Sequence, residues 1–329
     1  LELALGGGKV ASLAFLSPPN PIRLAEAQSL LSRLSALNAD GTITEHGKAL
    51  AKIPLHPRVG HLLLTCGERG AEIAALLNER DVLSRDAPKD FYLRLELLKG
   101  PTAFKERYSF STNSTVLARV KREITQLRKL APQTKKSYSP AQMLAIAYPD
   151  RIGQRRKGQE QRYLLSGGMG AHLSRPDPIG ENRFIVATEL DGQKKEADIR
   201  RAISITEEEI RDLFANDFNF VKSCKWSKSQ GRVIARQSEM FRALSISCRI
   251  WKDVPQEQMA EAVLEAIRDM GLALSDKEHA YLSRLAAAGP PFADVTETYL
   301  QNTLENWLLP YLDNIVTAKD WKEFDKLPA

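Results

Sequence analysis

The 329-residue chain has little of what marks several protein classes. Its three cysteines, Cys66, Cys224 and Cys248, are odd in number and far apart, which argues against a disulfide framework and for a reducing compartment, the cytoplasm. No apolar run approaches the ~20 residues that cross a bilayer, so no membrane association is expected. Leu1 stands where an initiator methionine would, and no basic-then-apolar signal follows it; the chain reads as a segment of a longer one. There is no Cys-x2-Cys pair and no Gly-x-Ser-x-Gly elbow. Gly6-Gly7-Gly8-Lys9 looks like a phosphate-binding loop, but Leu3 replaces its first glycine and Val10 the hydroxyl that would reach Mg²⁺. His56 and His61 are off the i, i+4 spacing of two zinc ligands on a helix, and Pro57 intervenes. Thr44-Glu45-His46 lacks a preceding Asp to hold a metal, and Gly167-Gly168-Met169-Gly170 sits between two strand-like segments, as a hairpin turn does. No catalytic, metal or cofactor site is therefore expected in the chain itself.

What is present is an ordinary globular composition, 43 % hydrophobic and 27 % charged, long enough for two to four domains. The net charge of +6 hides a zoning. From Val116 to Arg162 twelve Lys/Arg face three acids, whereas from Asp253 to Ala329 six face fourteen. A basic centre suits a phosphate-bearing partner, and an acidic end suits scaffolding or the docking of a protein.

The pattern of elements is mixed α and β. After a loop-like opening, Asn20 and Pro21 start a helix whose apolar residues run through Leu37. A turn at Asn38-Ala39-Asp40-Gly41, an extended Thr42-Ile43-Thr44 and a helix capped by Thr44 complete a small winged-helix-like unit. Helical segments follow at 61–66, 71–77, 90–98, 116–130 and 140–147, a bundle punctuated by Gly100, Pro101 and Pro132. In 116–130, Leu117, Val120, Ile124, Leu127 and Leu130 form an apolar stripe, and Arg119, Arg122 and Lys129 lie on a second, basic face. Short strands at 162–165, 169–173, 184–190 and 198–205 predict a small barrel. Thr206 and Glu209 make a capping box for a helix to about Phe214. Strand-like runs at 218–226 and 232–251 precede a helical end that includes one helix from Leu300 to Tyr311. Trp307 and Tyr311 on that helix read as core packing rather than docking residues.

The candidate site is the basic centre. Arg151, Arg155, Arg156 and Lys157 fall in an expected loop at the start of the barrel, followed by Arg162 and Tyr163. Guanidinium groups grip phosphate oxygens in pairs, and a tyrosine stacks on an unpaired base. The basic face at Arg119, Arg122 and Lys129 is expected to line the same channel for a single strand.

Two longer stretches carry a family resemblance. Phe15-Leu16-Ser17-Pro18-Pro19 and the run from Leu37 through Thr44-Glu45-His46-Gly47-Lys48 to Leu55-His56-Pro57-Arg58 resemble the junction after the winged helix in DEAH-box helicases. Ala74–Asp81, Arg151–Arg156 and Leu304–Leu312 resemble the bacterial HrpB branch. The resemblance implies a winged helix over 1–56, a helical ratchet-like domain over 57–146, an OB-fold barrel over 147–205 and an HrpB-type C-terminal region over 206–329, β-rich and then helical. The two RecA-like motor domains of such helicases are absent, and the ending at Leu327-Pro328-Ala329 reads as truncated. The resemblance implies a parent enzyme that uses ATP and Mg²⁺, whose motor domains this part partners. Single-stranded nucleic acid, RNA before DNA, is the expected ligand, with ratchet motion coupled to strand movement. The fragment alone is expected to be inactive, and docking of a protein through the acidic end is the alternative.

Overall fold

Asn20 does start the first long helix: its Oδ1 accepts from the N–H groups of Ile22 (2.9 Å) and Arg23 (3.3 Å), and Pro21 occupies the position whose N–H would have no helical partner. The computed structural model describes residues 1–6, 19–192, 196–272, 274–290, 296–312, 315–317 and 320. The Gly7–Lys9 glycine run, the 15–18 part of the resemblance and the 327–329 ending lie outside the described residues. The opening holds a short helix, α1 (Glu2–Leu5), where a loop was expected. Helix α2 (Pro21–Arg33) ends before Leu37 because Ser35 takes a left-handed φ of 54°, and Leu37 instead bridges to Ile43 across the turn. Thr44 caps α3 (Glu45–Ala51) through Gly47 N–H. A Cβ on Gly47 would lie 2.2 Å from Ala36 O, so only glycine lets α3 lie against that turn.

The bundle follows as α4 (Pro57–Cys66), α5 (Ala71–Asn78), α6 (Phe91–Lys99), α7 (Pro101–Arg107), α8 (Ser114–Leu130) and α9 (Pro140–Ala147). Helix α7 is an addition to what the sequence pattern predicts: Gly100-Pro101 breaks one helix, and the same proline, at a first-turn position, begins the next. The α8 stripe is buried at Leu117, Val120, Ile124 and Leu127, with Leu130 exposed. It packs on α5, and α9 packs on α4.

Strands β1 (Ile152–Arg155), β2 (Arg162–Leu165), β3 (Gly170–His172), β4 (Phe184–Asp191) and β5 (Glu196–Ser204) close a barrel in the order β1-β2-β3-β5-β4. All neighbours are antiparallel except β3 and β5. The basic run expected as a loop is thus partly strand, Gly153 pairing with both Leu165 and Ile185, and only the segment after Arg155 turns. Helix α10 (Glu207–Phe214) carries the expected capping box.

Two buried joints hold the bundle to the barrel. Arg58, 7 % exposed, reaches both oxygens of Asp150 at 2.6 and 2.8 Å and Ala147 O at 3.1 Å. At the other joint Asp90 bridges to Ala202 and Lys89 N–H donates to Asp177 (2.8 Å), while Arg94, paired with Asp81 (2.7 Å), braces the bundle side.

These elements form one compact unit, 1–218 with 241–244. The second unit, 219–240 with 245–329, holds most of a three-stranded sheet, β6 (Phe218–Ser227), β7 (Arg232–Phe241) and β8 (Leu244–Ile250). The run from 232 to 251 is two strands, since Arg242 at φ 52° reverses the chain. Helices α11 (Gln256–Met270), α12 (Asp276–Ala287), α13 (Glu297–Asn302) and α14 (Leu304–Trp307) follow. The helix expected from Leu300 to Tyr311 is broken at Thr303, whose side chain donates to Tyr299 O (2.7 Å). Trp307 packs against the Val233, Val263, Ile267 and Leu304 core, but Tyr311 is 68 % exposed, so the expectation that both aromatics are core holds for the first only.

His46 and His61, which the sequence did not pair, meet at 2.8 Å, Nε2 to Nδ1. Burial, then the neighbouring His46, pushes His61 down to about 4 from its usual 6.5, so it folds neutral. The unfolded chain takes up that proton first, so stability is full above pH 6.5 and is lost as pH falls toward 4, by up to roughly 3 kcal/mol. Denaturant titrations over that range are expected to show the loss, and His61→Phe to flatten it. Asp150→Asn leaves Arg58 as a buried cation with half its partner gone. It should cost the first unit's unfolding transition about 3 kcal/mol.

Candidate nucleic-acid interface

The nine residues proposed from sequence fall into three environments. On α8, Arg119, Arg122 and Lys129 are exposed, as the amphipathic spacing requires. Arg119 approaches Glu79 at 3.9 Å, while the side chains of Arg122 and Lys129 have no ion-pair partner among the described residues.

At the β1–β2 hairpin, Arg155 pairs across the ladder with Tyr163, and Arg156 N–H bonds Arg162 O at 2.8 Å. The turn between them carries Lys157 on the outside and passes through left-handed residues at Gly158 and Gln161. It is fixed from below, since the Gln161 side chain exchanges hydrogen bonds with Asp177 N–H (3.1 Å) and Asp177 O (3.2 Å). The guanidinium groups of Arg156 and Arg162 share Glu196, each at 3.4 Å. Arg155 and Lys157 have no carboxylate partner among the described residues, although Arg155 donates weakly to Gly180 O at 3.4 Å. The hairpin end therefore keeps a surplus of exposed cations on a braced turn.

Arg151 stands apart from the hairpin. Arg155 lies four residues further along the extended chain, a rise of about 13 Å. It is half-buried, donates to Thr188 O (3.2 Å), and its guanidinium carbon lies 5.0 Å from the Tyr148 ring centre. Helix α8 packs on α5, whereas the barrel packs on α6 and α9. The link between them runs through the end of α5, where Asn78 donates to Glu123 of α8 (2.6 Å) and Glu79 faces Arg119.

One proposed residue is corrected. Tyr163 has no exposed surface; it is a core residue of the barrel, its hydroxyl donating to Asn182 O at 3.0 Å. In β2 the side chains alternate, and the phase that exposes Arg162 turns Tyr163 inward, so it cannot stack on a base. The sequence reasoning also missed Arg58, His56 and Tyr148, which surround Arg151. The Tyr148-Pro149-Asp150-Arg151 turn directly after a helix was the available signal.

No family model matches the chain. It is 25 % identical over 338 aligned residues to the ATP-dependent RNA helicase HrpB of Escherichia coli K12, covering 98 % of this chain and 39 % of that protein. It is 40 % identical over 57 residues to the ATP-dependent RNA helicase DEAH13 of Arabidopsis thaliana, covering 17 % of this chain and 5 % of that one. A crystal structure of the E. coli DExH-box NTPase HrpB superposes with a TM-score of 0.61 at 25 % identity, over 97 % of this chain and 39 % of that one. A second, of the E. coli DEAH/RHA helicase HrpB, gives 0.59 at 23 % identity over 100 % and 42 %, a likeness of fold. The chain thus spans well under half the length of these relatives.

Because Tyr163 is internal, Tyr163→Phe should leave affinity for an oligonucleotide unchanged and cost about 1 kcal/mol of stability by removing the hydroxyl's hydrogen bond. A fluorescence anisotropy titration beside a denaturation curve measures both.

Proposed function

From its homology to the C-terminal part of an HrpB-like DEAH-box helicase, we propose that the chain is the strand-binding accessory region of such an enzyme. In this reading residues 1–56 serve as a winged helix, 57–146 as a ratchet-like domain and 147–205 as an OB-fold. The barrel order β1-β2-β3-β5-β4, with β3 parallel to β5, supports the last. Single-stranded RNA, rather than DNA, is the preferred ligand, and Arg155, Arg156, Lys157 and Arg162 hold its backbone, with Arg119, Arg122, Lys129 and Arg151 extending the path. The observation that carries this is the β1–β2 hairpin: exposed cations, two of them without carboxylate partners among the described residues, on a turn held rigid by Gln161 and Asp177. ATP and Mg²⁺ belong to the motor domains of the whole enzyme. The accessory region couples their motion to movement of the strand.

The test is a salt titration of oligouridylate binding to the full chain. Double substitution Arg155→Gln, Lys157→Gln should weaken binding and flatten the slope of log affinity against log salt by about 0.7 for each phosphate no longer neutralised. An unchanged slope removes the hairpin from the strand path. A slope that is flat in the parent chain removes the proposal altogether.

A further inference from the structure

A cleft of about 350 Å³ opens where α4, the end of α5 and the start of β1 meet, lined by His56, Arg58, Asn78, Tyr148 and Arg151 among others. It falls within the size range of small-ligand sites. Among the described residues no carboxylate lines it. Arg58 and Arg151 both stack on the one Tyr148 ring, with guanidinium carbons 5.2 and 5.0 Å from its centre. Asp150, the nearest acid in sequence, gives both its oxygens to Arg58. Arg151 is left with a single neutral acceptor, Thr188 O, and no ion pair among the described residues.

Two guanidinium groups against one ring, with one carboxylate between them, leave a net positive charge in a half-buried space. An uncompensated charge away from water is costly, and an anion entering the cleft removes that cost. A guanidinium presents its donors in a fork that matches two oxygens of a phosphate. His56 adds a second donor: its Nδ1 accepts the Arg58 N–H (3.3 Å), so the neutral ring carries its proton on Nε2. We infer that this cleft is a phosphate site, in which Arg151 and His56 hold the phosphate group of a phosphate ester.

The inference deepens the strand reading at Arg151, which that reading places on the path, but it needs only a phosphate group and does not depend on the hairpin that carries that reading. Two sources share the chemistry, an internal phosphodiester of a strand and a terminal or free phosphate. The readout is the His56 imidazole, followed by NMR in the full chain. Burial, and the cations Arg58 and Arg151, hold its pKa below the usual value, and a bound anion counters them. Added inorganic phosphate should raise the His56 titration midpoint. Arg151→Gln should weaken that response roughly tenfold or more, while Arg151→Lys retains much of it. A wild-type His56 midpoint that inorganic phosphate does not move overturns the proposal even if Arg151→Gln fails to fold, as does an equal response in a folded Arg151→Gln. An oligouridylate with hydroxyl ends that moves His56 at lower concentration than inorganic phosphate supports the site with a strand phosphodiester as its source. Response to inorganic phosphate alone supports it with a free or terminal phosphate. Arg155→Gln, Lys157→Gln should leave the His56 response intact, which separates failure of the strand reading from failure of this one.

Discussion

The bidentate pairing of Arg58 with Asp150 is the contact on which the first unit depends. Asp150 lies in the turn that leaves α9 and enters β1, and Arg58 lies in the first turn of α4, 92 residues earlier. Taking both ions out of water is expensive, and a buried pair is retained only where further hydrogen bonds satisfy the remaining groups. One such bond reaches the guanidinium, and two others fix the backbone of the turn that carries the carboxylate. Ala147 O accepts from the guanidinium, Gly167 N–H donates to Asp150 O at 2.9 Å, and Ser166 Oγ donates to Pro149 O at 2.8 Å. Arg242 reaches Pro149 O as well, while pairing with Asp217 at 2.7 Å. The same turn thus fixes where the bundle ends, where the barrel begins and how the β7–β8 turn is anchored.

That economy of cations explains why charge counts alone misjudge the basic centre. Of the twelve Lys/Arg between Val116 and Arg162, Arg128 is paired with Glu72 at 3.1 Å, Arg156 and Arg162 share Glu196, and Arg151 is stacked on Tyr148. The cations with no ion-pair or ring partner among the described residues are fewer: Lys121, Arg122, Lys129, Lys135 and Lys136 on and just after α8, and Arg155 and Lys157 at the hairpin. Surface pairs such as Arg128 with Glu72 contribute little to stability and open easily, so they do not withdraw a cation from binding as the buried Arg58 is withdrawn.

Much of the fold was legible because its signals are local. Asn20, Thr44 and Thr206 cap helices through N–H groups two or three residues on, and the α8 stripe reports its own burial through its spacing. What stayed hidden depends on distant partners. Strand β1 is masked in the sequence by its polar end at Gln154 and Arg155, and it is a strand only because β2 and β4 flank it. The orientation of Tyr163 follows from that pairing, which is why an apparently available aromatic turned out to be barrel core. Arg58 reads as an ordinary surface arginine until the turn at Asp150 is folded beside it.

The acidic end shows the same logic from the other side. The fourteen acids after Asp253 suggest a docking arm, yet the second unit satisfies several of them itself. Lys228 in the β6–β7 turn pairs with Asp269 of α11 at 2.8 Å, and Arg268 pairs with Glu305 of α14 at 2.5 Å. Beneath these pairs, Val263, Ile267, Leu304, Leu308 and Ile315 form one core with Val233 of β7. A tail built to hold a partner by charge would keep its carboxylates free and its apolar residues few. Here the apolar residues tie the helices to the sheet, and Asp269 of α11 faces a cation that the sheet supplies. The opposite signs that appear as zones along the sequence are, within this unit, partly a means of joining two layers of one structure.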